Sequence, residues 1–341
     1  MSWDYGFGKL ENELIEAGKE CPPNYAKMRD LLAVGADINA ISTKEDPDES
    51  ILSTIILGYP NDFNHPEICE NCDKDGEEPC TDCPENFWKN YDGRYLPDLC
   101  RFFLKNGFDV HGSKDTFGGR CIMNLTWSSY DRYILDATKI LLHAGANPNF
   151  ESEDETLLSW VATKASAGRC VDEDHNLENL FETMYSILEA ASENRDFDSI
   201  EYFSAAIGRK VEGIEIYCEP NQPSVFSIKE PEFQSDTCYT GTIVLWCEGK
   251  ALRINQWTDV MVDPSVTKTD SKTKVDMSPY FSGCIGCTLA KIDFDHELTI
   301  KGTTRYGRAV MHLHFSNGKS IHFSNNFGKV SKEKYAAFFE I

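Results

Sequence analysis

Three segments of this chain end in the same way, and that repetition constrains the fold more than any other feature. They are "MRDLLAVGADINA" (28–40), "LCRFFLKNGFDVHG" (99–112) and "ATKILLHAGANPNF" (137–150). Each carries an apolar pair, two further residues, a glycine, one variable residue and then Asp or Asn. The pairs are Leu31–Leu32, Phe103–Leu104 and Leu141–Leu142, and the glycines are Gly35, Gly107 and Gly145. A glycine just past an amphipathic stretch supplies the left-handed residue that closes a helix, and the following Asx residue favours a tight turn. Three helix-then-turn units are therefore predicted.

The intervening segments add partners. "SILSTIILGY" (50–59) and "TLLSWVATKA" (156–165) are short, apolar and opened by a hydroxyl residue suited to an N-cap. Two helices, a glycine stop and an Asx turn, repeated, resemble the ankyrin repeat. Thr156, Leu158 and Ala162 fit the opening of that family's pattern. Leu31, Leu32, Gly35, Ala36, Asp37 and Asn39 fit its closing, as do Leu141, Leu142, Gly145, Ala146 and Asn149. The chain departs from the family in lacking the usual Pro-Leu-His and in the degenerate middle segment "NGFDVHG". The resemblance covers roughly residues 10–210. It implies an α-solenoid and a surface of turn tips used for protein recognition, in which Asp37, Asn39, Asp109, Asn147 and Asn149 are candidate partner-binding residues.

Spacing locates an insertion. Gly107 and Gly145 lie 38 residues apart, near one repeat of about 33, whereas Gly35 and Gly107 lie 72 apart. The excess falls between residues 60 and 95. It contains "ICENCDKDGEEPCTDC" (68–83), in which Cys69 and Cys72 form one Cys-x-x-Cys pair and Cys80 and Cys83 another. Four thiolates so arranged can converge on a tetrahedral Zn²⁺, with Gly76 and Pro79 favouring the reversal between the pairs. A four-thiolate zinc has no open position, so the expected ion is structural, and its binding would organise a segment otherwise long for a loop. Four thiols without metal in an acidic loop are the competing reading.

Charge narrows the partners. The chain has 56 acidic against 33 basic residues, a net charge of −23. Such a surface repels phosphate backbones and anionic membranes, so neither nucleic acid nor membrane is an expected partner. A basic protein would be attracted. The N-terminus lacks the pattern of a signal peptide, the apolar runs are too short to span a bilayer, and thirteen mostly scattered cysteines fit reduced thiols. These features predict a soluble, cytoplasmic chain.

After residue 210 the period changes to two. "GIEIYC", "TIVLWC", "KALRIN", "LAKIDF", "LTIKG", "AVMHLHF" and "KSIHFS" read as strands separated by the turn signals "EGK", "DFDHE" and "SNGK". Residues 263–276 are polar and read as a loop, and "KEKYAAFFEI" as a terminal helix. Residues 197–210 read as one more helix, capping the stack. A hairpin loop of Asn317, Gly318 and Lys319 would set His314 opposite His322 and His312 opposite Ser324. His312, His314 and His322 would then share a polar face and are further candidates for partner, ligand or metal binding, against the plainer reading of a solvated face. "CIGC" (284–287) is a lone Cys-x-x-Cys, better explained by small buried side chains. No Ser-His-Asp or nucleotide-binding pattern stands out.

The expected architecture is multidomain α + β. Residues 1–210 form an ankyrin-like repeat domain with a zinc-binding insertion at 60–95, and residues 211–341 a mostly antiparallel β domain. The expected function is non-enzymatic protein binding. One alternative is an acidic immunity or inhibitor protein that neutralises a basic toxin or nuclease. Another is an enzyme or ligand site at the histidine face.

Overall fold

Side-chain caps open some of the helices, and positive-φ glycines close others. The computed structural model describes residues 5–43, 49–58, 93–128, 132–152, 155–171, 176–218, 228–229, 232–233, 241–255, 259–268, 274–276, 278–279, 281–300 and 303–324. Among them run α1 (Lys9–Lys19), α2 (Tyr25–Ala33), α3 (Ile51–Gly58), α4 (Tyr95–Lys105), α5 (Phe117–Ser128), α6 (Tyr133–His143), α7 (Leu157–Val171) and α8 (Asn176–Ser192). Ser50 and Ser53 cap α3 reciprocally: Ser53 N donates to Ser50 Oγ at 3.1 Å, and Ser50 N to Ser53 Oγ at 2.8 Å. Thr156 Oγ1 accepts from Ser159 N at the start of α7.

Gly35, Gly107 and Gly145 have φ of +107°, +94° and +99°. The next residue in each case donates back to the helix: Ala36 to Leu31 O, Phe108 to Phe103 O and Ala146 to Leu141 O, all at 3.0 Å. These are the bonds that satisfy orphan carbonyls at a glycine-closed helix end. A further copy follows α8, with Asn194 (φ +55°) in the glycine's place and Arg195 N donating to Ala190 O at 2.8 Å.

The chain divides into two compact units, Met1–Val161 with Leu188–Arg195, and Ala162–Ile187 with Asp196–Ile341. Residue 210 lies inside the second. In the first unit α1 packs on α2 and α3, α3 on α5, α4 on α6, and α5 on α6. α3 lies in the middle: Ile51, Leu52, Ile55 and Ile56 are wholly buried. A helix apolar on every side can exist only in such a place. Each of those side chains contributes on the order of 2 kcal/mol by leaving water.

The second unit holds two antiparallel sheets. One has the order Lys274–Asp276, Val211–Cys218, Gly241–Cys247, Lys250–Asn255, Asp259–Val262, Glu201–Tyr202, and the other the order Leu289–Ile300, Thr303–Phe315, Ser320–Ser324. The strands are β3 (Glu201–Tyr202), β4 (Val211–Cys218), β7 (Gly241–Cys247), β8 (Lys250–Asn255), β9 (Asp259–Val262), β10 (Lys274–Asp276), β11 (Leu289–Ile300), β12 (Thr303–Phe315) and β13 (Ser320–Ser324). Two-residue ladders β1 (Glu151–Ser152) with β2 (Glu155–Thr156), and β5 (Ile228–Lys229) with β6 (Glu232–Phe233), complete the set. Alternation sorts the faces of β7. Ile243, Leu245 and Cys247 join the core shared with Leu289, Met311, Leu313 and Phe315 of the smaller sheet, whereas Val244 and Trp246 pack on the opposite side. Asn179 of α8 is fully buried and accepts from Val260 N of β9 at 2.7 Å.

Several expectations need correction. Residues 197–210 are not a helix: they form β3 and a 3₁₀ turn, Phe203–Ala206, whose Phe203 and Ala206 lie in the sheet core. "DFDHE" is no turn, because β11 runs through it with a bulge between Asp295 and Glu297. Within 263–276, Lys274–Asp276 pairs with β4, and Asp263 is buried and bonded to Arg253 at 2.7 Å. The terminal helix expected at 332–341 lies outside the described residues. Among the described residues no helix is long and apolar enough to cross a membrane.

Candidate partner-binding surface

The turn tips are built by their Asx residues. Asp37 Oδ1 accepts from Asn39 N at 2.9 Å, Asp109 Oδ1 from His111 N at 3.0 Å, and Asn147 Oδ1 from Asn149 N at 2.9 Å. Asp196 Oδ1 accepts from Asp198 N at 3.0 Å in the same manner. A carboxylate or amide oxygen that takes the amide two residues on mimics a backbone turn and fixes its direction. So Asp37, Asp109 and Asn147 are engaged in shaping the tips.

The residue two beyond the first Asx couples successive turns. Asn39 Nδ2 donates to Gly107 O at 2.9 Å, and Asn39 Oδ1 accepts from Asp109 N at 2.8 Å. His111, its counterpart one turn later, lies against Gly145, where an added Cβ would sit 2.8 Å from His111 Nε2. His111 Nδ1 is also 2.6 Å from Asp115 Oδ1. At the other end Glu11 Oε1 accepts from Asp37 N at 2.8 Å. Asp37, Asp109, His111 and Asn149 are exposed, while Asn39 and Asn147 are half-buried. Next to His111, Ser113, Lys114 and Asp115 have φ of +47°, +63° and +76°, a left-handed turn.

The histidine face has a different register from the one expected. Gly318 (φ +82°) is the third residue of the loop, not the second: Gly318 N donates to Phe315 O and Phe315 N to Lys319 O, both at 2.9 Å. A three-residue hairpin loop ends in a left-handed residue, so Ser316, Asn317 and Gly318 form it. His314 therefore opposes Ser320, and His312 opposes His322. The shift is two residues, so the faces survive: Leu313, Phe315 and Ile321 are buried, and His312 and His314 half-buried. The side chain of His322 lies outside the described residues.

A carboxylate does stand on this face. His314 Nε2 is 3.1 Å from Asp293 Oδ2, His314 Nδ1 is 2.9 Å from Ser320 Oγ, and Lys291 Nζ is 2.7 Å from Asp293 Oδ1. With the ring neutral, Asp293 can only accept, so Nε2 carries the proton and Nδ1 accepts from Ser320. The His312 and His314 rings stack at 6.2 Å. The result is a hydrogen-bonded relay along a sheet face. Among the described residues no three His, Cys, Asp or Glu side chains are gathered to hold a metal ion.

Cys69, Cys72, Cys80 and Cys83 lie outside the described residues. Elsewhere burial dominates thiol chemistry, pushing Cys100 and Cys247 up to about 12 and Cys121 well up too. The bridging role of Asn39 was not read from the sequence, although the repeat alignment equates Asn39 with His111 and Asn149. The chain matches no protein-family model, no curated protein and no solved structure.

Proposed function

We propose that this chain is a non-enzymatic protein-binding module whose helix pairs stack as divergent ankyrin-like repeats and whose turn tips meet the partner. The observation that carries this reading is the coupling of successive tips through Asn39. A surface whose tips are held by their own side chains and by one another loses little entropy when a partner docks, and preorganisation of that kind raises affinity. The insertion at 60–95 extends that surface, with Cys69, Cys72, Cys80 and Cys83 holding one structural zinc. Asn149, exposed beside the third tip, is a contact residue; Asp37, Asp109 and Asn147 contribute by shaping the tips.

The net charge of −23 supports a sharper form of the same reading, an acidic cytoplasmic inhibitor that neutralises a basic toxin or nuclease. The histidine face, a solvated relay, is a secondary contact region. The test is co-purification of the full chain from its native cell at low and moderate salt, with mass spectrometry of what elutes. A stoichiometric basic partner is expected, bound less tightly as salt rises and weakened by Asn149→Arg. A partner bound equally at both salt levels contradicts the acidic inhibitor. Binding unaffected by Asn149→Arg contradicts the tip surface.

A further inference from the structure

Cys284 and Cys287 open and close a single tight turn. Cys287 N donates to Cys284 O at 3.1 Å, and Gly286, the third residue, has φ +84°. Positive φ at that position is what a type II turn requires. Such a turn holds its first and fourth Cα atoms within about 7 Å, which overlaps the ~4.4–6.8 Å that a disulfide spans. The Cys287 sulfur reaches back across the turn: it donates to Gly283 O at 3.7 Å, on the carbonyl joined to the Cys284 nitrogen. Cys284 is fully buried and Cys287 half-exposed, so one thiol meets solvent and the other lies behind it.

The turn is also a junction. Gly286 N donates to Val211 O at 2.8 Å and Val211 N to Cys287 O at 2.9 Å, which ties it to the start of β4. Asn317 Nδ2 donates to Gly283 O at 2.7 Å, and Ser316 N to Thr288 O at 2.9 Å, which tie it to the β12–β13 loop. Both sheets of the unit are thus fastened at one short turn. Lys319 packs over Gly283 and places a cation near Cys284, where it opposes the rise that burial imposes on that thiol.

We propose that Cys284 and Cys287 are a reversible redox pair, closing to a disulfide by exchange with a low-molecular-weight disulfide of the glutathione type. The half-exposed Cys287 thiolate attacks one sulfur of the small disulfide, forming a mixed disulfide and releasing one small thiolate. The Cys284 thiolate then attacks the Cys287 sulfur, closing the ring and releasing the second small thiolate. The two protein thiols are oxidised and the small disulfide is reduced to two thiols, which take up the two protons that the protein thiols lose. Closure adds a covalent clasp to the point that fastens the two sheets.

The test uses one tryptic peptide. Residues 275–291 carry Cys284 and Cys287 and no other cysteine, so the remaining eleven of the thirteen do not interfere. The native chain is equilibrated with oxidised glutathione, quenched in acid, alkylated and digested. A peptide about 2 Da lighter and without alkyl groups is expected, and dithiothreitol should restore two alkylated thiols. Cys284→Ser should leave a single glutathione on Cys287. Recovery of both wild-type cysteines alkylated, or of a wild-type peptide that keeps glutathione without closing, would overturn the proposal. The wild-type result decides the question even if a variant fails to fold.

Discussion

Asn39 and Asp109, seventy residues apart in sequence, meet at 2.8 Å where the Asp109 amide donates to the Asn39 side chain. The same side chain gives its own proton to Gly107 O. One asparagine thus acts toward the next turn as a strand acts toward its neighbour, with one donor and one acceptor.

Asn39→Ala removes both bonds and is expected to destabilise the helical unit by about 1–2 kcal/mol, measured by urea unfolding. Asn39→Asp keeps the acceptor for Asp109 N and loses the donor, so its loss should fall between wild type and Ala. Equal stability for all three would mean that the coupling contributes nothing.

The glycines separate backbone strain from contact. Nothing lies within 4 Å of a Cβ added at Gly35 or Gly107, so alanine there meets only the penalty of positive φ, about 1 kcal/mol. Gly145→Ala meets the same penalty and also His111 Nε2 at 2.8 Å, so it should be the most damaging of the three. His111→Ala in the Gly145→Ala background should recover part of the loss. Melting temperatures of the five chains are enough to check this.

Glu49 makes stability depend on pH. Burial holds its carboxyl above the usual 4.5, offset in part by the Thr54 hydroxyl and by Lys19. The folded state favours the protonated form, so the benefit is complete below 4.5 and disappears as pH rises through the raised value. Glu49→Gln, which can still accept from Thr54, should therefore raise the melting temperature at pH 7 and leave it unchanged near pH 4. A gain of equal size at both values would rule out ionisation as the cause.

Zinc should be present at one ion per chain by elemental analysis and lost on chelation or in Cys80→Ser. The helical signal in circular dichroism should largely persist, because the tip couplings on either side do not use the metal. Cooperative unfolding of the whole chain on chelation would instead make the insertion part of the core.

The local chemistry of helix ends was legible. Ser50, Thr156, Gly35, Gly107 and Gly145 each do what their residue type permits. What escaped was chemistry done by a substitute or at a distance. The turn after α8 uses Asn194 where the others use glycine, so a search for glycine passes over it. In residues 197–210, Phe203 and Ala206 are buried three residues apart, a spacing that a 3₁₀ turn satisfies as well as a helix. In the β12–β13 hairpin an error of two residues left every face intact, since side chains alternate with period two. The relay through Asp293 was hidden because β11 continues across the charged stretch read as a turn, which sets Asp293 beside His314.

The coupled tips also bear on how much this chain can carry. α3 and α4 pack together, although Gly58 and Tyr95 are separated by 36 residues. The entropy of closing such an excursion grows only with the logarithm of its length, about 0.6 kcal/mol for each doubling. With Asn39 joining the turns before and after it, that increment is small against the contacts holding the ends. The position between α3 and α4 is therefore a permissive graft point, where a longer module of foreign sequence could be spliced while its neighbours keep their register.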